Sequence, residues 1–187
     1  MRTIPARDAE AETRFNRVML VVAIAIGAFL LFATMVTITA PRPESPFDAS
    51  LPNPMGGPAR TAPGDASGVI SLGDLTIDGA EIAMGDVGLG VTFVPDWEIS
   101  NPTGEAITIT VGQPQVIEGC CPGPVYADGE LTQAGQELTV PARGMVRLQF
   151  PLQMHPGMDG PHHLTIPLTS GDQQTAVHVT GNFTALA

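Results

Sequence analysis

The sequence predicts an all-β domain, a two-sheet sandwich of about seven to eight strands, preceded by one transmembrane helix and a proline/glycine-rich linker. Three observations carry this expectation. Residues 18–40 contain no charged side chain. Residues 41–68 hold seven of the 18 prolines in the 187-residue chain. From residue 69 onward, apolar side chains recur at every second position in short runs separated by turn residues.

The apolar segment comes first. As a helix at about 1.5 Å per residue, residues 18–40 reach roughly 34 Å, enough to cross a hydrocarbon core with some tilt. A buried core helix would show a polar face, which this segment lacks. A cleavable signal peptide has a shorter apolar stretch and a small-x-small cleavage site, which Ile38-Thr39-Ala40 matches poorly. The expectation is an uncleaved anchor. The tail at 1–17 carries four arginines against three acids, and Arg14 and Arg17 sit at the start of the span. Beyond residue 40, four arginines face sixteen acids, and the chain has no lysine. The positive-inside rule then places the tail in the cytoplasm and the C-terminal part outside the cell membrane, facing the periplasm in a bacterium with two membranes. So acidic an outer part excludes nucleic acid as a partner, since phosphate neutralisation needs clustered cations.

Residues 41–68 read as a semi-extended spacer, because Pro41, Pro43, Pro46, Pro52, Pro54, Pro58 and Pro63 interrupt any ladder of backbone hydrogen bonds. The domain follows at 69–187. Val91, Phe93, Trp97 and Ile99 share one parity; Ile107, Ile109 and Val111 alternate with threonines; Val146, Leu148 and Phe150 alternate with Arg147 and Gln149. Leu164, Ile166 and Leu168 follow, then Val177 and Val179. Turn residues such as Asn101-Pro102-Thr103-Gly104 and Ser170-Gly171-Asp172 bound these runs. Short strands at this spacing suggest an immunoglobulin-like sandwich. Pro95 inside its run marks an edge or a bulge.

The order of these pieces resembles the bacterial extracytoplasmic Ig-like domains of the abnormal-spindle/hydin type. The resemblance rests on Gly85-Asp86-Val87, the strand through Trp97 to Ser100, the Asn101-to-Gly104 turn, the strand from Ile107, Leu138 to Phe150, and a final strand ending near Gly181. It spans residues 74–184 and implies a fold while saying almost nothing of chemistry.

Two loops hold the chemistry-bearing residues. One is Gly119-Cys120-Cys121-Pro122-Gly123-Pro124; the other runs Met154-His155-Pro156-Gly157-Met158-Asp159-Gly160-Pro161-His162-His163. Together they resemble a subgroup with adjacent cysteines and a Met-His-x-Gly-Met-x-Gly-x-His loop. That resemblance implies copper, with Met154, His155, Met158 and His162 on the pattern and His163 at an unconstrained position.

The residues themselves point the same way. Thiols outside the membrane are normally oxidised, yet adjacent Cα atoms about 3.8 Å apart make a Cys120–Cys121 bridge strained. A soft metal offers protection, and thiolate, thioether and imidazole together favour Cu(I), with zinc the alternative. The candidate ligands are Cys120, Cys121, Met154, His155, Met158 and His162.

Two conditions apply. The loops must reach the same end of the sandwich, which needs a single crossing by Val125 to Val140. Pro122 also biases Cys121 toward extended backbone, which would point the two sulfurs apart.

Other readings stay open. The cysteines could form a vicinal or intermolecular disulfide in an interaction module, or the Met/His loop could be a plain hairpin connection. His178 reads as an outward strand residue, and the scattered acids form no calcium loop. No catalytic function is expected: there is no phosphate loop, nucleophile elbow or Cys-x-x-Cys pair, and a Cys/His nucleophile would lack room for substrate in so small a sandwich. The expected role is copper delivery or buffering, with a membrane cuproenzyme or another envelope protein as partner.

Overall fold

The computed structural model describes residues 45–47, 52–61 and 64–185. The cytoplasmic tail and transmembrane helix expected at 1–17 and 18–40 lie outside them. Among the described residues no helix is long and apolar enough to cross a membrane.

The described chain is all-β. Its strands are β1 (Ala59–Thr61), β2 (Asp65–Leu72), β3 (Leu75–Gly88), β4 (Thr92–Val94), β5 (Asp96–Ser100), β6 (Ile107–Val111), β7 (Gln115–Glu118), β8 (Val125–Ala127), β9 (Glu130–Thr132), β10 (Gln136–Val140), β11 (Met145–Gln149), β12 (Gly160–Ser170) and β13 (Gln173–Thr184). Thirteen strands replace the seven to eight expected, for local reasons. Pro95 has no N–H to give a ladder and splits one run into β4 and β5. Gly112-Gln113-Pro114 separates β6 from β7 in the same way. The segment after the cysteines forms a tight hairpin, β8–β9, before β10 makes the crossing.

Part of the stretch read as a spacer is built into the domain. The proline-free residues of β1 pair in parallel with β4, and β2 begins at Asp65 and pairs along β3. Phe47 is fully buried and packs edge-on against Tyr126 at 5.1 Å, while the Ser45 hydroxyl donates to Gln149 Oε1 at 2.8 Å. Backbone between the prolines is still free to pair, and a lone phenylalanine is enough to dock the segment.

The main sheet runs β10-β6-β12-β13-β3-β5-β11-β8-β9. β3 belongs to both halves: Thr76–Asp78 pair with β5, whereas Glu81–Gly88 pair with β13. The change occurs across Gly79, whose φ of +65° is costly for a residue with a Cβ. There the buried parity switches from Leu75 and Ile77 to Ala80, Ile82 and Met84. The two halves close over one core that includes Trp97, Phe150, Phe183, Leu148, Leu164 and Ile166. The alternation read from sequence appears directly as burial: Trp97 and Ile99 in β5, Leu164, Ile166 and Leu168 in β12, Val177 and Val179 in β13. Each such side chain contributes about 1.5–3 kcal/mol by leaving water.

The Asn101 turn shows why a polar residue can be buried here. Its Nδ2 donates to the carbonyls of Glu105 (2.7 Å) and Val140 (3.2 Å), and its Oδ1 accepts from the Thr103 N–H and hydroxyl.

Candidate metal centre

β7 and β12 pair antiparallel, with Glu118 opposite His163. The loop leaving β7 and the loop entering β12 therefore lie side by side, which fixes where the chemistry-bearing residues can meet. Cys120 follows two residues after Glu118, and His162 precedes His163. Cys120 Sγ lies 3.8 Å from His162 Nε2.

The imidazole is held on three sides. His162 is 3% exposed. Its Nδ1 is 3.1 Å from the Gly160 carbonyl, which can only accept, so Nδ1 carries a proton and Nε2 is the nitrogen that faces the sulfur. The ring stands edge-on to Phe183 at 5.1 Å. Its other neighbour is Gly119, where an added Cβ would fall 2.4 Å from His162 Cδ2. Glycine is thus required there for space as well as for its φ of +89°. These supports were not visible in the sequence, because their roles depend on which strand ends meet.

Cys120 is half-buried and Cys121 exposed, both as free thiols. The Cys120 pKa lies above the ordinary thiol value: a side-chain hydrogen bond with Cys121 holds the proton, and desolvation and repulsion from a Cys121 thiolate act in the same direction. Cys121 is not extended as Pro122 suggested. Its φ is +53°. Proline disfavours the right-handed helical region for the preceding residue, and this tight turn takes the left-handed one instead.

The remaining candidate ligands differ in burial. Met154 is fully buried in the core, and its carbonyl accepts from the Gly90 N–H at 2.8 Å. His155 is exposed. Met158 is partly buried against the core, its N–H bonded to the His155 carbonyl at 3.0 Å in the turn between them. Among the described residues no three His, Cys, Asp or Glu side chains converge. The geometry is thus a two-atom anchor of sulfur and nitrogen. With ligand bonds of about 2.3 Å to sulfur and 2.0 Å to nitrogen, a 3.8 Å separation corresponds to an S–metal–N angle of about 124°. That is near the trigonal value.

No protein-family model matches the chain, and no curated protein matches it in sequence. Solved structures that share features of the fold are distant. A family 123 glycoside hydrolase from Clostridium perfringens aligns at a TM-score of 0.42 and 6% identity over 57% of this chain and 23% of the hydrolase, so the chain spans about a quarter of that enzyme. The ASH/PapD-like domain 7 of human CEP192 aligns at 0.40 and 10% identity, covering 61% of this chain and 87% of that domain. A Caenorhabditis elegans member of the MSP family aligns at 0.34 and 10% identity over 59% and 98%. None of these likenesses bears on activity.

Proposed function

We propose that the domain binds one soft metal ion, Cu(I), between Cys120 Sγ and His162 Nε2, and serves in copper delivery or buffering outside the cell membrane. The observation that carries the reading is the 3.8 Å sulfur–nitrogen pair with Nδ1 already committed to Gly160. A fixed tautomer on the far nitrogen is how imidazole ligands are oriented in metal sites. Thiolate with imidazole selects Cu(I) or zinc over hard ions. Met158, on the same loop, offers a thioether to complete a trigonal set, and the half-exposed rim leaves the ion accessible for transfer. Met154 serves the core, and His155 is exposed.

The finer fold assignment belongs to the same reading: an Ig-like domain of the abnormal-spindle/hydin type, anchored by residues 18–40, with its partner a membrane cuproenzyme or another envelope protein. The reading is non-catalytic. A cysteine nucleophile needs a depressed pKa, whereas Cys120 is shifted the other way.

The test is a Cu(I) competition titration of the full chain in detergent under reducing conditions. One equivalent should bind, with binding weakened in Cys120→Ser and His162→Gln and unchanged in His155→Ala. Undiminished binding in Cys120→Ser or His162→Gln contradicts the assignment.

A further inference from the structure

The Cys120–His162 pair leaves three of the chain's four histidines unused, and two of these, His163 and His178, lie on neighbouring strands. In the β12–β13 hairpin, Thr165 pairs with His178 and His163 with Thr180, which sets the two histidines on a diagonal of one sheet face. The structure brings them together: His163 Nε2 lies 3.4 Å from His178 Nδ1, with ring centroids 5.6 Å apart and planes tilted by 51°. On the next strand Glu81 stands directly opposite His178. The three residues, with Ser67 and Thr180, line a surface cavity of about 260 Å³ on the outward face.

We propose that His163 and His178 form a second metal site, specific for a borderline divalent ion and best suited to Zn(II), with water completing the shell. Two nitrogens bound to one ion at about 2.0–2.1 Å and separated by 3.4 Å subtend about 112° at the metal, close to the tetrahedral angle zinc adopts. A square-planar Cu(II) site, at about 90°, would draw the nitrogens closer than this. The site contains no sulfur, so its donors differ in kind from the Cys120–His162 pair. At 3.4 Å the two nitrogens are within hydrogen-bond distance, and a modest turn of the rings directs both lone pairs to one ion. The ion replaces the proton between them, which moves to the far nitrogen of the ring that carries it. The cavity is open to solvent and has room for bound water beside the pair. His162 points into the domain while His163 points out, as successive strand residues must. The two sites therefore sit back to back on adjacent residues yet face opposite sides of the same sheet.

The experiment is a calorimetric Zn(II) titration of the full chain in detergent, carrying Cys120→Ser and Cys121→Ser so that no thiol competes. One equivalent should bind. His163→Gln and His178→Gln, each in that background, should both weaken binding by at least about tenfold. The fluorescence of Trp97, the single tryptophan, should stay unchanged and so show that the fold is intact. A smaller loss in either variant, or no zinc bound by the thiol-free chain, overturns the proposal. Neither result touches the copper reading, because that depends on the cysteine these proteins lack.

Discussion

Replacing Gly119 by alanine disturbs the proposed copper centre without removing a ligand. Two costs follow from the geometry. The φ of +89° is a conformation that an alanine enters at about 1–2 kcal/mol. The new Cβ would sit 2.4 Å from His162 Cδ2, so ring and loop must separate by about 1 Å to restore an ordinary contact. The ring has little freedom to retreat, with Phe183 packed on it and Nδ1 bonded to Gly160. The loop therefore moves and takes Cys120 away from Nε2. Displacing a supporting contact of this kind lowers metal affinity by about 10- to 100-fold.

Gly135→Ala is the matched control. It has a similar φ of +81° and nothing within 4 Å of its added Cβ, so it imposes the backbone cost alone. Cu(I) competition titrations of both variants, with urea unfolding followed by Trp97 fluorescence, separate the two effects. Gly135→Ala should lose about 1–2 kcal/mol of stability, Gly119→Ala at least as much, and only Gly119→Ala should lose affinity. Equal Cu(I) affinity in the two variants would refute the view that Gly119 positions His162 for the ion.

Three further outcomes are expected. Because the Cys120 pKa is raised and Cys121 is exposed, alkylation between pH 7 and 9, about the thiol range, should label Cys121 first. Cys120 should lag behind it, and mass mapping of the labelled peptide checks the order. Asn101→Ala should cost about 2–3 kcal/mol in urea unfolding, since it strands the buried carbonyl of Val140 and frees the turn to Glu105. Phe47→Ala should cost about 3 kcal/mol by the same measurement if the segment docks on Tyr126 as described. A loss near zero would mean that residues 45–47 do not pack on the domain.

The sheet was legible in the sequence because burial alternates with period two, and the same residues that signalled strands, Trp97, Ile99, Leu164 and Ile166 among them, fill the core. Strand number was less legible. Proline breaks runs that hydrophobicity joins, and proline density hid the pairing of β1 and the docking of Phe47. At the site, the residue types pointed to a soft metal, but only antiparallel pairing of β7 with β12 decides that Cys120 meets His162. Met154 sits within the motif yet serves the core, a distinction of side-chain direction that spacing does not carry. The His163–His178 contact is fixed by the hairpin register around Gly171-Asp172. It becomes visible once that turn is known to be tight.

The most direct test of the central claim is X-ray absorption at the copper edge of the full chain loaded with one equivalent of Cu(I). The account predicts sulfur at about 2.3 Å together with a single imidazole nitrogen at about 2.0 Å, the imidazole signal vanishing in His162→Gln. A shell of nitrogen and oxygen alone, or a sulfur–imidazole shell that persists in His162→Gln, would contradict it.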